Sequence, residues 1–305
     1  MTIEQSIKHK AIALGFDLVG IASAAPLDAA YAAYHADWLR RGCADGIKHL
    51  HRNNDKRFAP AKLLEGAQSV VCVALNYRPH PYEAPAGRSL PVARYALYDD
   101  YHEFIKTRLN ALAAYIQSLC TESIPQFKVC CDAIPLAERP LAQRAGLGFI
   151  GRNHCLIHPK LGGQLLLGEL LTTLPLKPDT PLSGDFCKTC RRCIDACPTA
   201  ALSENGEFDA RRCISAITQG QAGDAPPVHT AGSLFGCDVC LLACPFERNA
   251  PPRRNPDLTF YPQRTTLTAD AVLTWTQDDF DAVFKQSCLE RLGLAHLKQI
   301  ATKNL

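Results

Sequence analysis

Cys187–Pro198 reads CKTCRRCIDACP, and Cys237–Pro245 reads CDVCLLACP. The first is C-x2-C-x2-C-x3-C-P. The second repeats its last part, and Cys213 lies between them. An iron–sulfur cube needs four thiolates, and a short loop with x2 spacing wraps three corners of one cube. Where two such runs occur, the fourth cysteine of a run ligates the other cube. On that rule Cys187, Cys190 and Cys193 take one cluster with Cys244 as remote ligand. Cys237, Cys240 and Cys213 take the second, with Cys197 crossing over to it. All eight cysteines are used and none is left over. Structural zinc usually shows two separated CxxC pairs, so it fits this spacing less well.

Seven further cysteines (Cys43, Cys72, Cys120, Cys130, Cys131, Cys155 and Cys288) sit mostly in apolar surroundings and read as small buried hydrophobes. The chain has 305 residues, enough for two domains, and is 47% hydrophobic, so its core does not need disulfides. Lys and Arg total 33 against 30 Asp and Glu. That balance neither identifies a nucleic-acid protein nor excludes one with clustered basic residues. The opening MTIEQSIKHKAIALGF shows no apolar h-region, and no run approaches the roughly 20 apolar residues of a membrane helix. The expectation is a cytoplasmic protein, in a reducing compartment where cysteines serve metals more often than disulfides.

Outward from the cysteines, Pro175, Pro178 and Pro181 mark a linker. Before it, helix and strand alternate. Ile3, Ile7, Ala11 and Leu14 recur at helical spacing, with Gly15 as a stop. Phe16–Ala22, Ser69–Tyr77, Phe127–Cys131, Cys155–Ile157 and Gln164–Leu171 read as strands. Ile105, Leu109, Leu112, Ile116 and Leu119 form one helical stripe between Tyr101 and Leu119. The expected architecture is a mixed α/β domain over 1–180 and a two-cluster, ferredoxin-like domain over 181–250. A short helical tail over 251–305 follows, with Thr276 and Asp279 as a capping box and Trp275, Phe280 and Phe284 as its apolar face.

Two clusters pass single electrons, so the larger domain should hold whatever they reduce. Several stretches there and beyond form a set: RYALYDDYH (Arg94–His102), RAGLGFIGRN (Arg144–Asn153), LGELLT (Leu167–Thr172), the cysteine run, DARRCIS (Asp209–Ser215) and GCDVC (Gly236–Cys240). In order and spacing this set resembles the epoxyqueuosine reductase family, corrinoid enzymes that complete queuosine synthesis in the tRNA anticodon. The resemblance implies a cobalamin in the α/β domain, reduced by two [4Fe-4S] clusters. It implies a tRNA partner carrying epoxyqueuosine and a low-potential ferredoxin or flavodoxin as electron donor, the chain acting as a monomer. The reaction removes the epoxide oxygen with two electrons and two protons, releasing water. The family's proton donor maps to Asp132, with Tyr101 and His102 lining the substrate pocket. Arg57, Gly146, Gly148, Gly151, Asn153 and Ser215 map to cofactor contacts. Three features depart from the family: Asp132-Ala133-Ile134-Pro135 replaces the usual Asp-Ser/Thr-Gly-Pro, AITQG follows DARRCIS, and the sequence stops at Leu305 where many members continue into helical repeats.

The residues also support plainer readings. Asp132 leaves a strand for a loop, where an α/β sheet puts its ligands, and a carboxyl in an apolar setting can stay protonated near neutral pH. A turn-forming aspartate is the alternative. The three glycines would let backbone approach a large cofactor, or simply make a tight turn. The pairs Arg191/Arg192, Arg211/Arg212 and Arg253/Arg254 fit RNA phosphates or a solvated face. The only Asp-x-His is Asp100-Tyr101-His102, and Ile105 stands where a cobalt-ligating loop needs glycine, so no histidine is expected below cobalt. Two rival functions remain: a reductive dehalogenase-like corrinoid enzyme, and a ferredoxin-type electron carrier without corrinoid.

Overall fold

The computed structural model describes residues 1–84, 91–121, 124–220 and 230–304. The chain opens on α1 (Ile3–Ala13), β1 (Leu18–Ser23), α2 (Ala29–Arg40), α3 (Asn54–Arg57) and β2 (Ser69–Asn76). It continues through α4 (Tyr101–Leu119), β3 (Phe127–Cys130), α5 (Glu138–Arg144), the pair β4 (Phe149–Ile150) and β5 (Leu156–Ile157), and β6 (Leu165–Thr172). Four strands form one sheet in the order β1-β2-β6-β3, and every neighbouring pair is antiparallel. The mixed α/β character stands. The sheet nevertheless has no parallel pair among the described residues, because alternation of helix and strand in sequence does not fix strand direction. The rule that puts ligands beyond the carboxyl ends of parallel strands therefore does not reach Asp132.

Side chains alternate across a strand, so β2 and β6 feed two cores. Val71, Val73, Leu75, Leu166 and Leu170 face one core, built with α1 and α4. Val70, Cys72, Ala74 and Leu171 face the other, under α5. In the α4 stripe Leu119, at the helix end, is exposed, whereas Ile105, Leu109, Leu112 and Ile116 are fully buried. Each such side chain contributes about 1.5–3 kcal/mol of burial. The α4 N-terminus is fixed by Asp100, whose carboxylate accepts the His102 N–H at 2.9 Å.

Beyond the prolines come α6 (Arg192–Ala196), α7 (Ile214–Thr218) and α8 (Val239–Leu242), then α9 (Ala269–Thr274), α10 (Gln277–Phe284) and α11 (Leu294–Thr302). Thr276 and Asp279 make the capping box of α10. Phe280, Phe284, Leu289 and Leu297 enter the same core as α1 and α4. Fully buried Arg264 donates to the carbonyls of Ala96 (3.0 Å), Tyr98 (2.6 Å) and Val283 (2.9 Å), pinning the segment that leads into α4. Buried Glu247 ties the cysteine segment to the sheet, accepting from Arg78 Nη1 at 3.0 Å, from Gln164 Nε2 at 2.8 Å and from Gly163 N.

Candidate active site and cluster cavities

Two sets of thiols gather in the cysteine segment, and none of the fifteen cysteines is in a disulfide. Helices α6 and α8 each run into a Cys-Pro step, Cys197-Pro198 and Cys244-Pro245, which turns the chain back, since the residue before proline is driven out of helical conformation. Cys187, Cys190, Cys193 and Cys244 line one cavity of about 210 Å³. Cys244 interacts electrostatically with Cys193 and Cys187, which precede it by about fifty residues. Cys213, Cys237 and Cys240 are mutual neighbours, and Cys197 interacts with Cys213 and Cys237. Burial pushes the Cys197 thiol up. Hydrogen bonds from Thr199, from Ala201 N (3.3 Å) and from Leu202 outweigh it, holding the thiol below its ordinary value.

The glycine stretch lies beside this cavity. Phe149 stacks on Phe186 with centroids 4.4 Å apart and meets Phe246 edge-on at 5.2 Å. Asn153 is buried on the cavity wall, donating to the Cys240 carbonyl at 3.4 Å and accepting the Cys155 N–H at 3.2 Å. The three glycines each have a local packing reason. A Cβ on Gly146 (φ +78°) would lie 2.8 Å from the Thr180 carbonyl, one on Gly148 2.5 Å from the Ile157 carbonyl, and one on Gly151 2.6 Å from Ile157 Cδ1. Ser215 sits in α7 and accepts from Gln219 Nε2 at 2.9 Å.

The second constellation forms where β3, an edge strand, ends against the N-terminus of α4. Asp132 Oδ2 accepts from Tyr101 Oη at 3.3 Å and from His102 Nε2 at 3.2 Å, and Asp100 Oδ1 takes His102 Nδ1 at 2.5 Å. The Tyr101 and His102 rings stack at 4.1 Å, and Tyr95 meets Tyr101 edge-on at 6.2 Å. The structure thus joins all three sequence-predicted residues, and adds Asp100. The protonation differs from the expectation of a neutral Asp132. The hydrogen bond to His102 is the largest influence on Asp132 and, against burial, holds its carboxyl below the ordinary range. Burial works against charge on His102, but the bonds to Asp100 and Asp132 outweigh it and push its pKa up to about 9. The physical reason is that Asp132 faces an imidazole held between two carboxylates. At neutral pH the proton of this pair rests on His102.

A raised histidine pKa stabilises the fold fully below the unfolded value of 6.5, and that stability is lost as pH rises through about 9. We expect the melting temperature of wild type to fall over this window and that of His102→Gln to be flatter there. Parallel melting curves against pH would refute the assignment.

Arg57 ends α3, with Nη2 donating to the carbonyls of His49 (3.0 Å) and Arg52 (3.4 Å), and its buried Nε meets no partner among the described residues. Its own carbonyl accepts Ala137 N at 2.9 Å, which places it along the Asp132 turn. The arginine pairs are largely engaged within the chain: Arg191 with Asp195 and Glu204, Arg211 with Asp209, Arg253 with Glu83, Arg254 with Asp17. Two functional candidates escaped the sequence reading. Glu138 Oε1 accepts the Asp132 N–H at 2.6 Å, and fully buried Glu169 lies against Glu138. The available signal was Glu169 itself, one charge inside the apolar run LLLGELLT. No helix among the described residues is long and apolar enough to cross a membrane.

Comparison with known proteins agrees with this geometry. Residues 57–133 match the family model "Epoxyqueuosine reductase QueG, DUF1730", and residues 186–247 match "4Fe-4S double cluster binding domain". The epoxyqueuosine reductase of Cyclobacterium marinum is 36% identical over 291 residues, 94% of this chain and 92% of that protein. An epoxyqueuosine reductase crystallised with an epoxyqueuosine-modified tRNA-Tyr stem loop superposes with a TM-score of 0.88 at 27% identity, covering 99% of this chain and 80% of that one. The Bacillus subtilis enzyme, solved with its catalytic aspartate loop swung out of the active site, gives a TM-score of 0.88 at 27% identity, covering 99% and 81%. With a relative this similar over nearly the whole length of both chains, the protein belongs to the epoxyqueuosine reductase family.

Proposed function

We propose that this epoxyqueuosine reductase passes electrons from two [4Fe-4S] clusters to a cobalamin in its α/β domain, and there removes the epoxide oxygen of epoxyqueuosine in a tRNA anticodon. The observation that carries the reading is the Tyr101–His102–Asp132 contact, a proton-holding group beside a carboxylate half open to ligand. Cys187, Cys190, Cys193 and Cys244 hold the first cluster, and Cys197, Cys213, Cys237 and Cys240 the second. The two disjoint thiol sets support this crossed assignment. The 1–180, 181–250 and 251–305 division follows these roles, in a cytoplasmic monomer fed by a ferredoxin or flavodoxin.

The fit of a cobalamin rests on Arg57, whose buried, unpartnered Nε is a donor left for a ligand along the Asp132 turn. Gly146, Gly148, Gly151, Asn153 and Ser215 complete the contacts taken from the family. When bound, the cofactor supplies a low-potential two-electron centre that accepts one electron at a time. The chain supplies the protons. Oxygen leaving a carbon develops negative charge, and His102 keeps a proton one hydrogen bond from Asp132, which hands it on. Both His102 nitrogens are engaged by carboxylates, so neither is free as a metal ligand.

The test is iron and cobalt analysis of one anaerobic sample, with an assay on tRNA bearing the epoxide. About eight irons and about one cobalt per chain are expected. Paramagnetic resonance of the loaded protein should show no splitting from an axial nitrogen. Iron without cobalt in a chain that still reduces the epoxide would remove cobalamin from the reading, and clear axial-nitrogen splitting would refute the ligation.

A further inference from the structure

Glu169 sits mid-strand in β6, paired with Cys72 of β2 and Cys130 of β3, and is fully buried. Its side chain faces the core under α5 rather than solvent. Neither carboxyl oxygen meets an N–H or hydroxyl donor among the described residues, and its one hydrogen-bonding partner is the carboxyl of Glu138. Two carboxylates cannot both be charged in such a place, because a buried ion without a counter-charge costs more than taking up a proton. Glu138 stands at the first turn of α5, and its Oε1 accepts the Asp132 N–H at 2.6 Å. That N–H belongs to a residue at φ +53°, a left-handed conformation that holds only where surrounding contacts fix it.

We propose that Glu138 and Glu169 share one proton and act as a latch, with Glu138 gripping the Asp132 N–H so that the turn presents the Asp132 carboxylate to His102 and Tyr101. Both glutamates are positioning residues, and the proposal rests on the reading of Asp132 as the proton-delivering group. Glu169, the more deeply buried, keeps the proton and donates it as a hydrogen bond to Glu138. An ionised acceptor binds an N–H about twice as strongly as a neutral one. The grip therefore weakens when the pair takes a second proton.

The neighbours leave this titration to the pair. Cys72 from β2, Cys130 from β3 and Cys131 and Asp132 from the turn face it, together with Arg139 on α5. Burial pushes all three thiols up, and Asp132 is held low, so none of them changes charge near neutrality. Arg144, Lys128 and Lys106 act on the thiols rather than on the carboxyls. Burial pushes Glu138 up to about 7, with the Asp132 charge adding to it.

Infrared spectra and pH–rate profiles of the anaerobic holoenzyme test this. A protonated-carboxyl band should persist above neutral pH in wild type and vanish in Glu169→Gln. Turnover should fall as pH drops through about 7 in wild type. Glu138→Gln keeps an acceptor that cannot ionise, so that limb should disappear. In Glu169→Gln an amide N–H, a weaker donor to the Glu138 carboxylate, replaces the carboxyl O–H, so the limb should move to higher pH. Glu138→Ala, which removes the acceptor, should lose ~100-fold in kcat with little change in KM, as expected for misplacement of a reacting group by about an ångström. A band unchanged in Glu169→Gln, or an acid limb unchanged in Glu138→Gln, overturns the latch. Failure of the Asp132 reading shows separately, as an Asp132→Asn variant with wild-type turnover.

Discussion

Asp132→Asn is expected to lower turnover on epoxide-bearing tRNA by at least ~100-fold, with both clusters intact. The amide keeps the size of the side chain and its contact with Tyr101, but it cannot take a proton from His102 and pass it on. Oxygen would then leave carbon without help, and a positioned acid is worth about 10²–10⁴ in rate. The same substitution removes one of the two carboxylates that hold the His102 charge. The His102 pKa should therefore drop from about 9, a shift that nuclear magnetic resonance of labelled histidine reads independently of catalysis. In wild type, turnover should fall as pH rises through about 9, where His102 gives up its proton. Near wild-type turnover in Asp132→Asn would make Asp132 a turn residue and move the acid to His102 or Tyr101.

Cys197→Ala is expected to destroy one cluster and spare the other. Cys197 follows Cys193 by four residues, yet its thiol neighbours are Cys213 and Cys237. Iron should fall from about eight to about four per chain, and the surviving cube should be the one held by Cys187, Cys190, Cys193 and Cys244. With one carrier gone, electrons have no route through both cubes, and turnover supported by a ferredoxin or flavodoxin should be lost. A structure of the loaded protein with Cys197 and Cys193 on the same cube would falsify the crossed assignment.

Much of this molecule was legible because its signals are local. The thiol spacing is set by the few residues that wrap a cube corner, so C-x2-C-x2-C-x3-C-P is readable without a fold. The stripe from Ile105 to Ile116 and the capping box at Thr276 are also local, and the helices Tyr101–Leu119 and Gln277–Phe284 lie where those signals put them. Strand Ser69–Asn76 was readable because both of its faces are buried, which leaves an unbroken apolar run. Helix Glu138–Arg144 was not, since seven residues containing Pro140 give too little periodicity to see.

The sequence by itself pointed to two clusters through the spacing of eight cysteines, and its resemblance to a known family singled out Asp132, Tyr101 and His102, which the fold brings into contact. Strand direction, the place of the tail and the home of the proton were decided only by tertiary structure. Antiparallel pairing depends on how long connections return to the sheet. The tail acts at the site through Arg264, which reaches the carbonyls before α4 from far along the chain. The ionisation of Asp132 depends on an imidazole thirty residues away in sequence, and that of Glu169 on burial against a second carboxyl, Glu138. Spacing along a chain encodes which groups bind together. Charge is settled by what surrounds a group in space, because desolvation and Coulomb energy depend on neighbours that no local pattern records.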